Sequence, residues 1–212
     1  PGIVTAVANS ETKFFMEDPN GCDHDVDTSD GIEVWNIEPP NTSLLRPRGT
    51  FNSVVVNLAV GDMVVIAMAI VGEQKFDTLA QPTTYLVAAV ANIEITSRTN
   101  ALPDPVVIGV HGRSPPTENM EAGVMFWESP EGMRVEIKNP IAISATEGTG
   151  DDQKIYMVAD NGHFATGLSM RGTLSASPHD FNPERLLIDE ENIFDFTFPR
   201  SNVGTMFGDI IG

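Results

Sequence analysis

The sequence predicts an all-β chain folded as two small β-barrel or sandwich modules. Three observations carry that reading. Short β-branched and aromatic runs recur along the chain, bounded by Gly, Pro, Asn and Asp. No window of about 12 or more residues shows a capped helical period. Short strands recur at roughly five to six per 100 residues, the density of small barrels and sandwiches.

The elements follow in order. Ile3 to Val7 is a short β-branched run, and Lys13 to Glu17 is a second strand. Gly31 to Trp35 alternates apolar and polar, as a half-buried strand does. Gly61-Asp62 is a turn that launches the longest apolar run, Met63 to Val71, which suits a buried strand. Tyr85 to Val90 and Ile93 to Ile95 read as two strands or as one kinked strand. The alanine-rich stretch Leu79 to Ala91 is the best rival for a helix, but Pro82, Thr83 and Thr84 near its start argue against one. Segments 100–105 and 113–118 are Pro-bearing linkers. Beyond them Gly132 to Ile137, Ile141 to Ile143, Ile155 to Val158, Arg185 to Ile188 and Val203 to Ile211 are further strands, the last interrupted. The expected organisation is a first module at 1–99, a linker at 100–117 and a second module at 118–212 whose final strand is truncated.

Thirty acidic residues face twelve basic ones in 212, a formal charge of −18. That balance argues against simple phosphate-backbone binding, which needs a basic footprint. It suits hard-metal binding, an extracellular life or plain solubility. Cys22 is the only cysteine, so no intramolecular disulfide and no Cys-based zinc or haem motif can form. The carboxylates around it raise a thiol's pKa, which argues against a reactive thiolate. No apolar run approaches the length of a membrane helix. The chain opens at Pro1 without an initiator Met or a leader, the expectation for a processed or excised segment.

The densest chemistry is the loop 18–31. Asp18, Asn20, Asp23, Asp25, Asp27 and Asp30 supply oxygens at alternating spacing between two strands, with glycine at 21 and 31. Calcium takes six to eight oxygens in loose geometry and suits such a loop. The spacing is not that of an EF-hand, and a solvated turn held by Asx hydrogen bonds is the rival reading. Asp180 and Asn182 repeat the spacing of Asp18 and Asn20, which marks a second candidate cation turn. Its rival is an ordinary turn in which Glu184 and Arg185 form a surface pair. Glu147 to Asp152 is acidic and reads first as a flexible hairpin loop. The histidines at 24, 111, 163 and 179 are scattered; Asp160 to His163 is a turn signal, and Ser177-Pro178-His179-Asp180 is too local for a triad. No nucleophile elbow, phosphate loop, dinucleotide fingerprint or zincin helix is present in the sequence. Asn41-Thr42-Ser43 is an N-glycosylation acceptor pattern, common by chance.

Several of these segments together carry a resemblance. Gly2 to Val7, Phe14 to Pro19, Thr28-Ser29-Asp30-Gly31-Ile32, Val60 to Val64, Glu128 to Val135, Asp180 to Asp189, Asn202 to Gly204 and Gly208 to Gly212 occur in one order. In that order they resemble the OB-fold-like region that precedes the catalytic domain of secreted bacterial nucleases of the endonuclease/exonuclease/phosphatase class. The resemblance implies two OB-like modules, a secreted protein and a role in placing a nuclease on its substrate. In that class a metal-dependent catalytic domain follows the last segment. Gly21 to Asp25 departs from the plainer glycine–aspartate alternation of the class, and Ala67 and Ala69 stand where it prefers Thr and Gly.

The expected function is therefore a non-catalytic, calcium-stabilised extracellular accessory module with weak affinity for single-stranded nucleic acid. The alternative is a structural subunit of an extracellular filament or surface assembly, formed by strand exchange through unpaired edges into homo-oligomers. A stand-alone hydrolase is the weakest reading, because no complete catalytic constellation is visible.

Overall fold

The computed structural model describes residues 1–8, 13–20, 25–37, 57–75, 81–150, 153–190 and 197–212. The described chain forms two compact units. The first takes in residues 1–25, 29–104 and 131–133; the second takes in 26–28, 105–130 and 134–212. In both, strands are the prevailing regular element, so the all-β class holds.

The first unit is one seven-stranded sheet. Its strands are β1 (Gly2–Val7), β2 (Lys13–Glu17), β3 (Gly31–Ile37), β4 (Met63–Ile66), β5 (Ile70–Gln74), β6 (Thr83–Ala89) and β7 (Ile93–Ser97). They lie in the order β5-β6-β3-β2-β1-β4-β7, an open arrangement among the described residues rather than a closed barrel. All neighbours are antiparallel except β3 and β6. Alternation along the strands assigns the faces. Val4, Phe14, Val34, Val64 and Ala88 form the buried core, with Met16, Ile32, Leu86 and Ile95 packed against it. The register places Phe14 beside Val34 and Val34 beside Leu86. The intervening residues stand on the opposite face, where Phe15, Glu33 and Tyr85 are cross-strand neighbours. A register shift in β1 between Val4 and Ala6 adds one residue there, the mark of a β-bulge.

The long run from Met63 to Val71 is two strands. β4 pairs with β1 and β7 while β5 pairs with β6, and between them the Ala67 N–H donates to the Asn92 carbonyl. The segment at Thr83 to Ala89 is a strand, not a helix: its threonines and Tyr85 fit the pleated surface between β5 and β3. A 3₁₀ turn at Val90–Asn92 is the kink that separates it from β7.

The second unit carries two three-stranded sheets. One is β10 (Ile141–Ala142), β11 (Lys154–Val158) and β12 (Leu186–Asp189), all antiparallel. The other sets β9 (Val135–Ile137) between β8 (Val106–Ile108), parallel to it, and β13 (Ile210–Ile211), antiparallel. Ala142, Ile155, Met157 and Phe198 form the core, with Ile188, Phe207 and Ile210 against it. Of the strand expected from Val203 to Ile211 only the last two residues pair as a strand. Asn202 to Thr205 closes a turn instead, the Thr205 N–H donating to the Asn202 carbonyl.

One helix interrupts the β pattern. Helix α1 (Met120–Glu128) starts at Asn119, whose side chain accepts from the Ala122 N–H, and Glu121 in the first turn complements the helix dipole. Nine residues fall below the window in which a helical period becomes visible, which is why the sequence hid it.

Candidate functional site

The acidic loop is only partly drawn together. Asp18 is half-buried; its Oδ1 accepts the Asn20 N–H at 2.8 Å, an Asx turn, and its own N–H donates to the Asp30 carbonyl. Asn20, Asp25 and Asp27 are exposed, and Asp30 is half-buried. Asp23, with Cys22, His24 and the glycosylation triplet at Asn41, lies outside the described residues. Among the described residues no three His, Cys, Asp or Glu side chains converge on a point that could hold a metal.

The downstream end of this loop has a different task. Ser29 Oγ donates to the Glu131 carbonyl, and the Gly31 N–H donates to Ser29 Oγ at 3.0 Å. The Asp30 N–H reaches Met133 Sδ, and Glu131 Oε1 accepts the Thr84 N–H at 3.1 Å. Residues about one hundred positions apart are thereby joined. The approach is so close that a Cβ on Gly31 would stand 2.5 Å from the backbone of Gly132, and Gly132 itself holds φ +71°. Beside this joint a cleft of about 210 Å³ is lined by Phe15, Glu33, Thr83, Thr84, Glu131 and Gly132, among others. Glu33 is buried and ion-paired to Lys13 at 3.2 Å, and Trp35 stacks on Tyr85 with ring centres 4.7 Å apart. The aromatic rings of this face are spent on one another and on Lys13, which lies over Phe15.

At the near end of the same sheet, Asp62 is fully buried. Its Oδ2 accepts from the Ala59 N–H and from Arg98 at 2.9 Å, which fixes the turn before β4.

The second candidate turn, Asp180 to Glu184, is better built. Asp180 Oδ1 accepts the Asn182 N–H at 3.0 Å, repeating the geometry of Asp18 and Asn20, and Asn182 adopts φ +55°. Asn182 is buried and its Oδ1 has no hydrogen-bond partner. The Pro183 carbonyl accepts from Trp127 Nε1 at 2.7 Å, and Gly123 of α1 lets the helix close onto Pro183: a Cβ there would stand 2.4 Å from the proline ring. Glu184 and Arg185 do not form a surface pair. Glu184 is buried and its Oε1 accepts both the N–H and the hydroxyl of Thr166, while Arg185 lies over the Tyr156 ring at 4.9 Å. Asp160 to Gly162 is a 3₁₀ turn, as its residues suggest, with Asp160 Oδ1 accepting from the Val110 N–H. Sequence reasoning missed Glu184 and Asp160. The signal available was their place beside Asn-Pro and Asn-Gly turns, which says nothing of burial.

A surface triad sits at the β9 end. Lys138 donates to both Glu136 and Asp209, and the Asn139 N–H also donates to Asp209. The Lys138 hydrogen bond holds the Asp209 carboxyl below its ordinary 3.8, and its bond to Asp209, then that to Glu136, raises the Lys138 amine above 10.5. The folded form therefore releases the Asp209 proton more readily than the unfolded chain does. Its contribution to stability is complete above the ordinary carboxylate value and fades as pH falls through the lower folded value; the Lys138 contribution is present below 10.5 and fades as pH rises past the raised value. Asp209 is exposed and Lys138 half-buried at the surface, so salt weakens the effect. Carboxyl NMR titration should show Asp209 moving up toward its ordinary value in Lys138→Met, the Asn139 N–H bond holding back part of the return; an unmoved titration would refute the pairing.

No helix among the described residues is long and apolar enough to cross a membrane. No curated protein and no solved structure matches the chain. A family model does: the one described as Domain of unknown function (DUF8508) matches residues 94–212, which is more than half of the 212 residues and includes helix α1 and the Asp180–Glu184 turn. The chain belongs to this DUF8508 family.

Proposed function

We propose that this chain is a non-catalytic, calcium-stabilised extracellular β-module of the kind that precedes the catalytic domain of secreted nucleases. One observation supports this best: motif residues that carry the resemblance are spent on contacts that hold the fold together. Ser29 and Gly31 lock onto Glu131 and Gly132, Pro183 locks onto α1, and Glu184 locks onto Thr166. Residues of a reacting site would instead present free donors and nucleophiles to a cleft. Calcium would act as a staple of acidic turns. A ligand that binds only the folded form raises apparent stability, so the chain should melt about 5 °C or more higher in saturating calcium than in chelator; an unchanged midpoint removes the calcium part. Binding of single-stranded DNA should be weak and lost with added salt. Absence of any retention on a single-stranded DNA column at low salt, with and without calcium, removes the nucleic-acid part.

A second reading, self-assembly by strand addition, is favoured by strand β5. It ends the sheet among the described residues, and its Ile70 and Val71 are 52% and 67% exposed. Two copies of β5 paired antiparallel about Gln74 would set Glu73 opposite Lys75 on both sides, a favourable cross-strand pair. Light scattering would then show association that Val71→Lys abolishes, because an edge lysine blocks pairing; a strict monomer at all protein concentrations sinks this reading.

A further inference from the structure

We propose that one face of the second unit is the surface through which two copies of this chain pair. Three segments meet there. A Cβ on Gly162 would stand 3.1 Å from Leu168 Cδ2 and 3.6 Å from Ile141 Cγ2, and Ile141 forms a β-bridge with Met206. The Ala142 N–H donates to the Thr205 carbonyl, and a Cβ on Gly172 would stand 3.1 Å from Val203 Cγ1. Segments 139–146, 161–179 and 198–208 are thereby neighbours. None of them holds an aspartate, a glutamate or a lysine, although the chain has 30 acidic residues in 212. On this acid-free ground stand four exposed apolar side chains, Leu168, Met170, Val203 and Met206, with Met170 fully exposed. Arg171 and Arg200 are exposed as well, and neither forms an ion pair among the described residues.

This composition is that of an interface core, where methionine and arginine are enriched and lysine, glutamate and aspartate depleted. Its most prominent part is also fixed in advance. Leu168 bridges to Leu174, the Gly172 N–H donates to the Ser169 carbonyl at 2.9 Å, and Ser169 Oγ accepts from the N–H groups of Arg171 and Thr173. Met170 and Arg171 are carried on a closed turn, so little backbone ordering remains to oppose binding. Net charge selects the occupant. Two chains of −18 repel one another wherever their carboxylates face. Screening confines that repulsion to about 10 Å at 0.1 M salt, so two copies meet most readily where carboxylates are absent from both sides. A two-fold contact sets this face against itself and meets that condition. It also covers four apolar side chains with four others. Laying the face on an acidic segment would pair the two arginines but leave the apolar side chains against charge. The contact uses the second unit alone and does not depend on pairing of β5.

Sedimentation velocity of the 212-residue chain in chelator, across a hundredfold range of protein concentration, tests this. The expected result is a monomer–dimer equilibrium whose association constant rises about fivefold between 0.1 M and 1 M sodium chloride, because salt removes repulsion and breaks no essential ion pair. Met170→Glu and Met206→Glu each place a carboxylate on both sides of the contact and should weaken it about tenfold or more. Met170 is fully exposed, so its replacement leaves the melting midpoint in place. Val71→Lys, on the β5 edge, should keep this dimer, which separates it from strand addition. A strict monomer at every concentration and salt, or a dimer that both methionine variants retain, overturns the proposal. Association that weakens with salt assigns the contact to ion pairs with an acidic segment and overturns it too. A monomer whose retention on single-stranded DNA is lost in Met170→Glu overturns it in favour of nucleic acid on this face.

Discussion

Replacing Phe14 with alanine is expected to lower the unfolding free energy by about 3–5 kcal/mol, the usual loss for a fully buried ring. Phe14 is 1% exposed and stands at the centre of the first unit's core. It faces Val7 of β1 on one side and Val34 of β3 on the other, with Val4, Val64 and Ala88 completing the cluster. These neighbours lie on four other strands of one sheet, so no single side chain can move to fill the space. The adjacent Phe15 supplies the control. It is half-buried on the opposite face, where it meets Glu33 and has Lys13 over its ring. Phe15→Ala should therefore cost roughly 1 kcal/mol, its ring being replaced largely by water. Urea denaturation followed by Trp35 fluorescence, in a Trp127→Phe background, reads both. The contrast is a test of register, because a slip of one residue exchanges the two faces. Equal losses at 14 and 15 would mean that the sheet is not paired as described.

The strands on either side of the acidic loop are also where the sequence was most legible. The period of two in Gly31 to Trp35 and the short apolar run within Lys13 to Glu17 depend only on local pattern, and both segments form strands at those positions. Legibility declines as the deciding contact becomes more distant. The apolar run at Met63 to Val71 looks continuous because every residue is apolar, yet its two halves have different partners, and those partners come from β1, β6 and β7. Helix α1 shows its cap at Asn119 and its first-turn Glu121, but nine residues give too little period to outweigh a β-rich context. The candidate site follows the same rule. The Asx turns at Asp18 and Asp180 are local and readable from spacing. The burial of Glu184 depends on Thr166 and on the packing of Pro183 against α1, and nothing near Glu184 in the sequence announces either. A carboxylate next to an arginine reads as a surface pair until the tertiary structure sends the two side chains to different partners.

The joint between Ser29–Gly31 and Glu131–Met133 is the extreme of that distance dependence, and Gly31→Ala is the sharpest probe of it. The added Cβ would stand 2.5 Å from the Gly132 carbonyl carbon and oxygen and 2.7 Å from the Met133 nitrogen. All three are backbone atoms, so no rotamer change relieves the clash and one of the two segments must move. Gly132 cannot yield easily, because its φ is +71° and it packs so close to Ile32 that a Cβ on it would stand 3.0 Å from the Ile32 nitrogen. Overpacking of this kind costs about 1–3 kcal/mol, and here the separation also stretches the Ser29 bond to the Glu131 carbonyl and the Thr84 bond to its side chain. The loss should fall at the upper end of that range. Ser29→Ala removes only the hydroxyl bonds and should lose about 1 kcal/mol. Hydrogen exchange distinguishes a displaced joint from general weakening: in Gly31→Ala the Thr84 and Gly31 amides should exchange faster by a larger factor than amides between β1 and β2. If Gly31→Ala melts with the wild type and keeps both amides protected, the two motif segments do not touch, and the reading of them as a structural joint is lost with that contact.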